Sequence, residues 1–120
     1  MKRSMDLIRE ILLHIEENQN DVNPVDVRIK GYSDYEITYH LNILKEANLI
    51  TLSINFVPDS TGINIWVSRM SWEGHEFLEA ARDEKRWESA KKYLLGNVGS
   101  TPFTILQSLL LKMISGDLKL

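Results

Sequence analysis

The chain contains no cysteine. That excludes a disulfide framework, a thiolate zinc site and a cysteine nucleophile. Long apolar runs are also missing. The stretch nearest the C-terminus, Ile105 to Ile114, is far shorter than the roughly 20 residues a membrane span needs. Charged and polar residues recur every few positions from Lys2 onward, so the N-terminus reads as neither signal peptide nor anchor. A cytoplasmic protein without a membrane partner is expected. The six glycines, Gly31, Gly62, Gly74, Gly96, Gly99 and Gly116, match no phosphate-binding fingerprint. No serine sits in a nucleophile-elbow context. His14, His40 and His75 form no H-x-x-x-H or H-E-x-x-H pair, so no metal is expected. His75 has Glu73, Glu76 and Glu79 near it in sequence, but a helix of mixed charge is far more often a solvated face than an acid–base group. Neither a catalytic residue nor a cofactor is expected, and the chain does not read as an enzyme.

What is present fits one globular domain over residues 1–120. A chain of 120 residues buries roughly two-thirds of the surface its unfolded form exposes. Hydrophobic and charged contents of 43% and 26% are ordinary for such a domain. The net charge of −3 is unevenly placed. Residues 1–50 hold six Lys or Arg against nine Asp or Glu, whereas residues 83–120 hold six against four. A nucleic-acid-binding half normally carries a basic footprint, and the N-terminal half lacks one.

The segment from Gly31 to Ile50, GYSDYEITYHLNILKEANLI, is the most structured part of the pattern. Ser33 followed three residues later by Glu36 is a capping box. Ile37, Leu41 and Leu44 repeat at helical spacing, predicting a helix from Asp34 to about Ala47. Asn48 suits the left-handed position that ends it. Ahead of it, Met5, Ile8, Leu12 and Ile15, widened by Leu7 and Ile11, predict a helix from Met5 to about Asn18. NQNDVNP is a turn-rich linker. Val25, Val27 and Ile29 alternate with Asp26, Arg28 and Lys30 and predict a short strand.

Ile50, Leu52, Ile54 and Phe56 alternate with polar residues, as do Ile63, Ile65 and Val67, with a turn at Pro58–Gly62 between them. Ser71 is placed to cap a third helix that starts at Trp72 and carries Phe77, Leu78 and Ala81 inward. That helix either breaks near Asp83 or continues through Trp87, Ala90 and Leu94. Gly74 is expected to permit close packing, and Trp66, Trp72 and Trp87 to fill the junction between hairpin and C-terminal helices. Thr101 and Pro102 read as N-cap and first residue of a last helix whose stripe runs from Ile105 to Ile114. The expected fold class is therefore α+β and winged-helix-like, in the order helix-strand-helix-strand-strand-helix-helix. Residues 1–70 form the core and wing hairpin, and 71–120 a C-terminal helical extension.

The stretch TYHLNILKEANLI is similar to the recognition helix and exit of small winged-helix repressors. His40, Leu41, Leu44, Ala47, Leu49 and Ile50 match their pattern, and Asn48 replaces a glycine. Nearly the whole chain resembles a bacterial and phage family of small proteins known only as a domain of unknown function. The resemblance rests on MKRSMDLIREILL, GYSDYEITYHL and SWEGHEFLEAARDEKRW. It implies a winged-helix-like fold and no established activity. One departure matters: the roughly fourteen residues between the first helix and Ser33 read as loop plus strand, where a helix-turn-helix has its supporting helix.

The periodicity turns Asp34, Tyr35, Thr38, Tyr39, Asn42, Lys45 and Glu46 outward. Read as a DNA-contacting face, Asn42 pairs with adenine, Thr38 offers a hydroxyl or methyl, and Lys45 meets a phosphate. Tyr35 and Tyr39 donate to phosphates, with Arg28 and Lys30 beside them. Asp59, Ser60, Thr61 and Asn64 form a wing tip able to touch the backbone. The equal alternative is a solvated helix face. His40 is expected at the edge of the core, bonded to a backbone carbonyl. Two functions follow: a DNA-binding transcriptional regulator, phage-associated by resemblance, or a winged-helix module that binds a protein. The last helix carries Leu109, Leu110 and Leu111, too wide a stripe for one seam, and a homodimer through the C-terminal helices is expected.

Overall fold

The computed structural model describes residues 2–20, 22–56 and 63–119, with side chains throughout except at 54–56 and 63–64. The expected turn at Pro58–Gly62, the wing-tip residues Asp59, Ser60 and Thr61, and the Asn64 side chain fall outside this description. The order is α1 (Met5–Asn18), α2 (Asp34–Glu46), β1 (Ile50–Phe56), β2 (Ile63–Met70), α3 (Trp72–Ala81), α4 (Glu84–Asn97) and α5 (Phe103–Ser115). The fold is α+β: five helices and a two-stranded antiparallel sheet. The chain divides into two compact units, Met1–His75 and Glu76–Leu120, with the boundary inside α3.

In the first unit, α1 begins at Ser4, whose side chain accepts from the Leu7 amide at 3.2 Å. Its apolar face is buried as the spacing demands, at Met5, Leu7, Ile8, Ile11, Leu12 and Ile15. Helix α2 has a complete capping box. The Glu36 amide donates to Ser33 Oγ at 3.1 Å, and the Ser33 amide donates to Glu36 Oε1 at 3.3 Å. Ile37, Leu41 and Leu44 are buried beneath it. The helix stops at Asn48, which takes a left-handed φ of 61°. The Leu49 amide then reaches back to the Leu44 carbonyl at 3.0 Å, and the Asn48 amide to that of Lys45 at 2.9 Å. This pair of bonds is a Schellman motif, and its two hydrophobic positions, Leu44 and Leu49, are both buried.

The imidazole of His40 joins the two helices. It is 1% exposed. Its Nδ1 lies 2.7 Å from the Glu36 carbonyl, and its Nε2 accepts from the Ser4 amide at 2.9 Å. The proton therefore sits on Nδ1, because Ser4 N–H can only donate. One backbone donor left over at the start of α1 is thereby satisfied by a side chain from α2.

The strands pair from Ile50↔Met70 to Phe56↔Ile63. The register slips between Thr51 and Leu52, leaving Ser68 as an extra residue on β2. The strand expected at Val25–Ile29 reduces to one antiparallel bridge, Val25↔Val67. Val25 and Val27 are buried, so the alternation is real. The ladder stops because the chain must turn at Ile29–Tyr32, with Gly31 at a φ of 94°, to enter the α2 cap. Among the described residues no helix lies between α1 and α2.

The start of α3 is pressed against the exit of α2. The Ser71 amide donates to the Leu49 carbonyl at 2.9 Å. Its hydroxyl donates to the Asn48 carbonyl and accepts from the Gly74 amide. A Cβ on Gly74 would collide with the Leu49 carbonyl oxygen and lie 2.5 Å from Met70 Cγ. Trp72 corrects the expectation of a tryptophan-filled junction. It is 76% exposed, because the first helical position after Ser71 faces outward.

In the second unit, Phe77 stacks edge-on to Trp87 at 6.2 Å and tilted on Phe103 at 4.6 Å. Helix α4 packs on α5. The helix that starts at Trp72 takes the first of its two expected courses, a break near Asp83, because the Asp83 carboxylate accepts from the Arg86 amide at 2.7 Å and caps a new start. Two expectations are corrected, the count of two C-terminal helices and the cap of the last one. Three helices thus follow the hairpin. Pro102, in extended conformation, occupies the cap of α5 without a side-chain bond, and Thr101 lies outside the helix.

Two stability predictions follow from these contacts. Gly74→Ala should destabilise the fold by about 1–3 kcal/mol in urea titration, since backbone must move to admit the methyl group. Gly96→Ala, where nothing lies within 4 Å, should be neutral or stabilising. Equal effects at both positions would contradict the close approach. His40→Ala should cost about 1–3 kcal/mol by stranding the Ser4 amide, and hydrogen exchange at the first turn of α1 should accelerate. Unchanged exchange there would refute the link.

Candidate functional site

Helix α2 carries the candidate face. Tyr35, Thr38, Tyr39 and Asn42 lie at i, i+3, i+4 and i+7, one continuous row on a helix. All four are exposed, as are Asp34, Lys45 and Glu46, where the periodicity puts them. Tyr35 is 84% exposed, an unusual degree for an aromatic ring. Tyr39 rests its ring edge on His40 at 5.4 Å, so a buried, doubly bonded imidazole supports it from below. The Asn42 amide nitrogen donates to the Thr38 carbonyl at 3.1 Å. A second N–H and the carboxamide oxygen remain for a partner, the pair that recognition of an adenine edge uses.

The cations do not gather on this face. Arg28 Nε is bound to Asp26 Oδ2 at 3.0 Å. Its pKa is raised above the ordinary arginine value by that hydrogen bond, by the Asp26 charge and by the Asp34 charge. Arg28 lines a groove of about 220 Å³ with Asp34 and Thr38, where it is already paired with Asp26. Lys30 is exposed in the turn before α2. Lys45 lies in the last turn, roughly 16 Å along the axis from Asp34 at 1.5 Å per residue. Residues 1–75 hold seven Lys or Arg against eleven Asp or Glu. In the second unit, Lys91 is held by Glu88 at 3.2 Å and lies over the Trp87 ring.

The structure thus brings Tyr35, Thr38, Tyr39 and Asn42 into one row and places Arg28 beside Thr38. It does not bring Lys45 to Arg28 and Lys30. Two contacts around this face were not anticipated. The Asp26–Arg28 pair was readable, since residues two apart on an extended segment share a face. The His40–Ser4 bond spans 36 residues and left no local signal. Among the described residues no group of three or more His, Asp or Glu is arranged to hold a metal ion. Among them, too, no helix is long and apolar enough to cross a membrane.

No solved structure matches the chain. An uncharacterised protein of Haemophilus influenzae is 30% identical over 92 residues, which cover 76% of each chain. A family model matches residues 2–99, a span that includes all of α2 and the hairpin and stops before α5. By that match the chain belongs to the family described as hypothetical protein (DUF2513).

Proposed function

We propose that the first unit binds duplex DNA in the manner of a winged-helix transcriptional regulator, without catalytic activity. The carrying observation is the exposed row Tyr35, Thr38, Tyr39 and Asn42 on a helix that leads directly into an antiparallel hairpin. In this reading α2 enters the major groove. Asn42 reads an adenine edge, Thr38 contacts a neighbouring base, and the two tyrosine hydroxyls donate to phosphates. Lys45, Lys30 and Arg28 contact the backbone. With no helix between α1 and α2 among the described residues, its docking angle rests on α1, through the His40–Ser4 bond.

A second reading is favoured by a specific observation. Arg28 is paired with Asp26, acidic residues outnumber basic ones in this unit, and Tyr35 stands 84% exposed. Tyrosines in such settings are typical anchors of protein interfaces. In that case the same row docks a protein partner.

Fluorescence anisotropy of a labelled duplex, measured over a salt series, separates the two. The DNA reading predicts binding at low salt that weakens log-linearly as salt rises. Asn42→Ala should cost about 1–3 kcal/mol, roughly 5- to 150-fold in affinity, and Lys45→Ala should lower the salt slope by about one. No binding at low salt would overturn the DNA reading and leave the protein-partner reading.

A further inference from the structure

Away from the α2 row, the first unit has another groove, of about 480 Å³, where the end of α1, the end of β2 and the first turn of α3 come together. Gln19, Asn20, Arg69, Met70 and His75 line it. Its base is fixed by backbone contacts. The Met70 amide donates to Gln19 Oε1 at 3.4 Å. Ser71 is held by the Asn48 and Leu49 carbonyls, and Gly74 lies directly against Leu49.

The polar groups that remain are mainly donors. Asn20 Oδ1 accepts from the Val22 and Asn23 amides, both at 2.8 Å. The oxygens of both carboxamides, Gln19 and Asn20, are thus engaged by backbone N–H groups, and their NH2 groups are the available ends. Arg69 is exposed and His75 half-buried. Neither the guanidinium nor the imidazole bonds or pairs with another described residue. Arg28, Arg82 and Lys91, by contrast, are paired with Asp26, Glu79 and Glu88. An imidazole keeps at least one N–H in either protonation state.

None of the described acidic residues of the first unit lines the groove. Glu73 shares the first turn of α3 with His75, but residues two apart do not share a helix face. The negative end of α1 and the positive end of α3 meet here with opposite effect, so the side chains decide the preference.

We propose that this groove binds the phosphate group of an anionic ligand. The Arg69 fork takes two phosphate oxygens, and His75, Gln19 and Asn20 donate to the others. Donors that converge from three elements suit a tetrahedral oxyanion better than a planar carboxylate. The connection from β2 to α3 is already anchored, so little ordering opposes binding. The groove shares no residue with the α2 row and does not rest on the DNA reading.

Inorganic phosphate titrated at constant pH and ionic strength, followed by proton–nitrogen NMR, tests the site. Saturable shifts are expected at the Arg69 Nε–H, the His75 ring and the NH2 groups of Gln19 and Asn20. Arg69→Gln should weaken binding by roughly 10- to 150-fold, since it removes charge-assisted hydrogen bonds. Arg82→Gln in the second unit should leave it unchanged. Duplex DNA distinguishes the source of the phosphate. If the duplex moves the same signals and Arg69→Gln lowers its salt slope by about one, the phosphate belongs to the DNA backbone. If inorganic phosphate binds and the duplex leaves these signals unmoved, the ligand is a small phosphorylated molecule. Either result supports the groove, and the phosphate titration stands whether or not α2 reads DNA. The proposal is overturned if the four side chains show no saturable shift. It is overturned equally if chloride or acetate acts as strongly, or if Arg69→Gln binds phosphate as the unmodified chain does.

Discussion

The first unit closes on the backbone carbonyls of Asn48 and Leu49. The left-handed turn at Asn48 exposes both oxygens at the exit of α2. Ser71 takes both, one with its amide and one with its hydroxyl. Gly74 lets the first turn of α3 come down over Leu49 with no side chain between them. The end of β2 is drawn into the same place, where the Met70 amide donates to Gln19 Oε1 at the end of α1. Four elements thus meet within a few residues, and the direction in which α2 presents its outer face is set there.

That face is held rigidly. The capping box fixes the start of α2, the Schellman motif fixes its end, and His40 ties its middle to α1. A row of side chains on a helix fixed at three points needs little ordering on binding, which lowers the entropic cost of recognition. The electrostatics pull the other way. Arg28 is paired with Asp26 and lies near the charge of Asp34, and Lys45 lies in the last turn, at the far end of the helix. An interface of this kind depends on hydrogen bonds and aromatic contact more than on long-range attraction.

Much of this was legible because it is local. Ser33 and Glu36 announce α2, Asn48 its end, and Ser71 the start of α3, each through a capping bond that spans no more than four residues. The stripes of α1 and α2 were legible for the same reason, and with them the outward position of Tyr35, Thr38, Tyr39 and Asn42. Non-local pairing was less so. Val25, Val27 and Ile29 alternate as a strand does, yet among the described residues only Val25 bridges to a strand, because that depends on where β2 runs. Asp83 offered a break, and helix formers on both sides left a continuous helix equally readable. On α5, Leu106, Leu109 and Leu110 are buried, while Ile105, Leu111 and Ile114 flank them about half exposed. The width of that stripe was readable, but what covers its flanks was not.

The most direct test of the account is a backbone amide chemical-shift map of the chain titrated with duplex DNA at low salt. The account predicts the largest changes at Tyr35, Thr38, Tyr39 and Asn42, with smaller ones at the buried Ile37, Leu41 and Leu44 of the same helix. Changes confined to α4 and α5, or a spectrum unmoved by DNA, would contradict the assignment of α2 as the DNA-reading face.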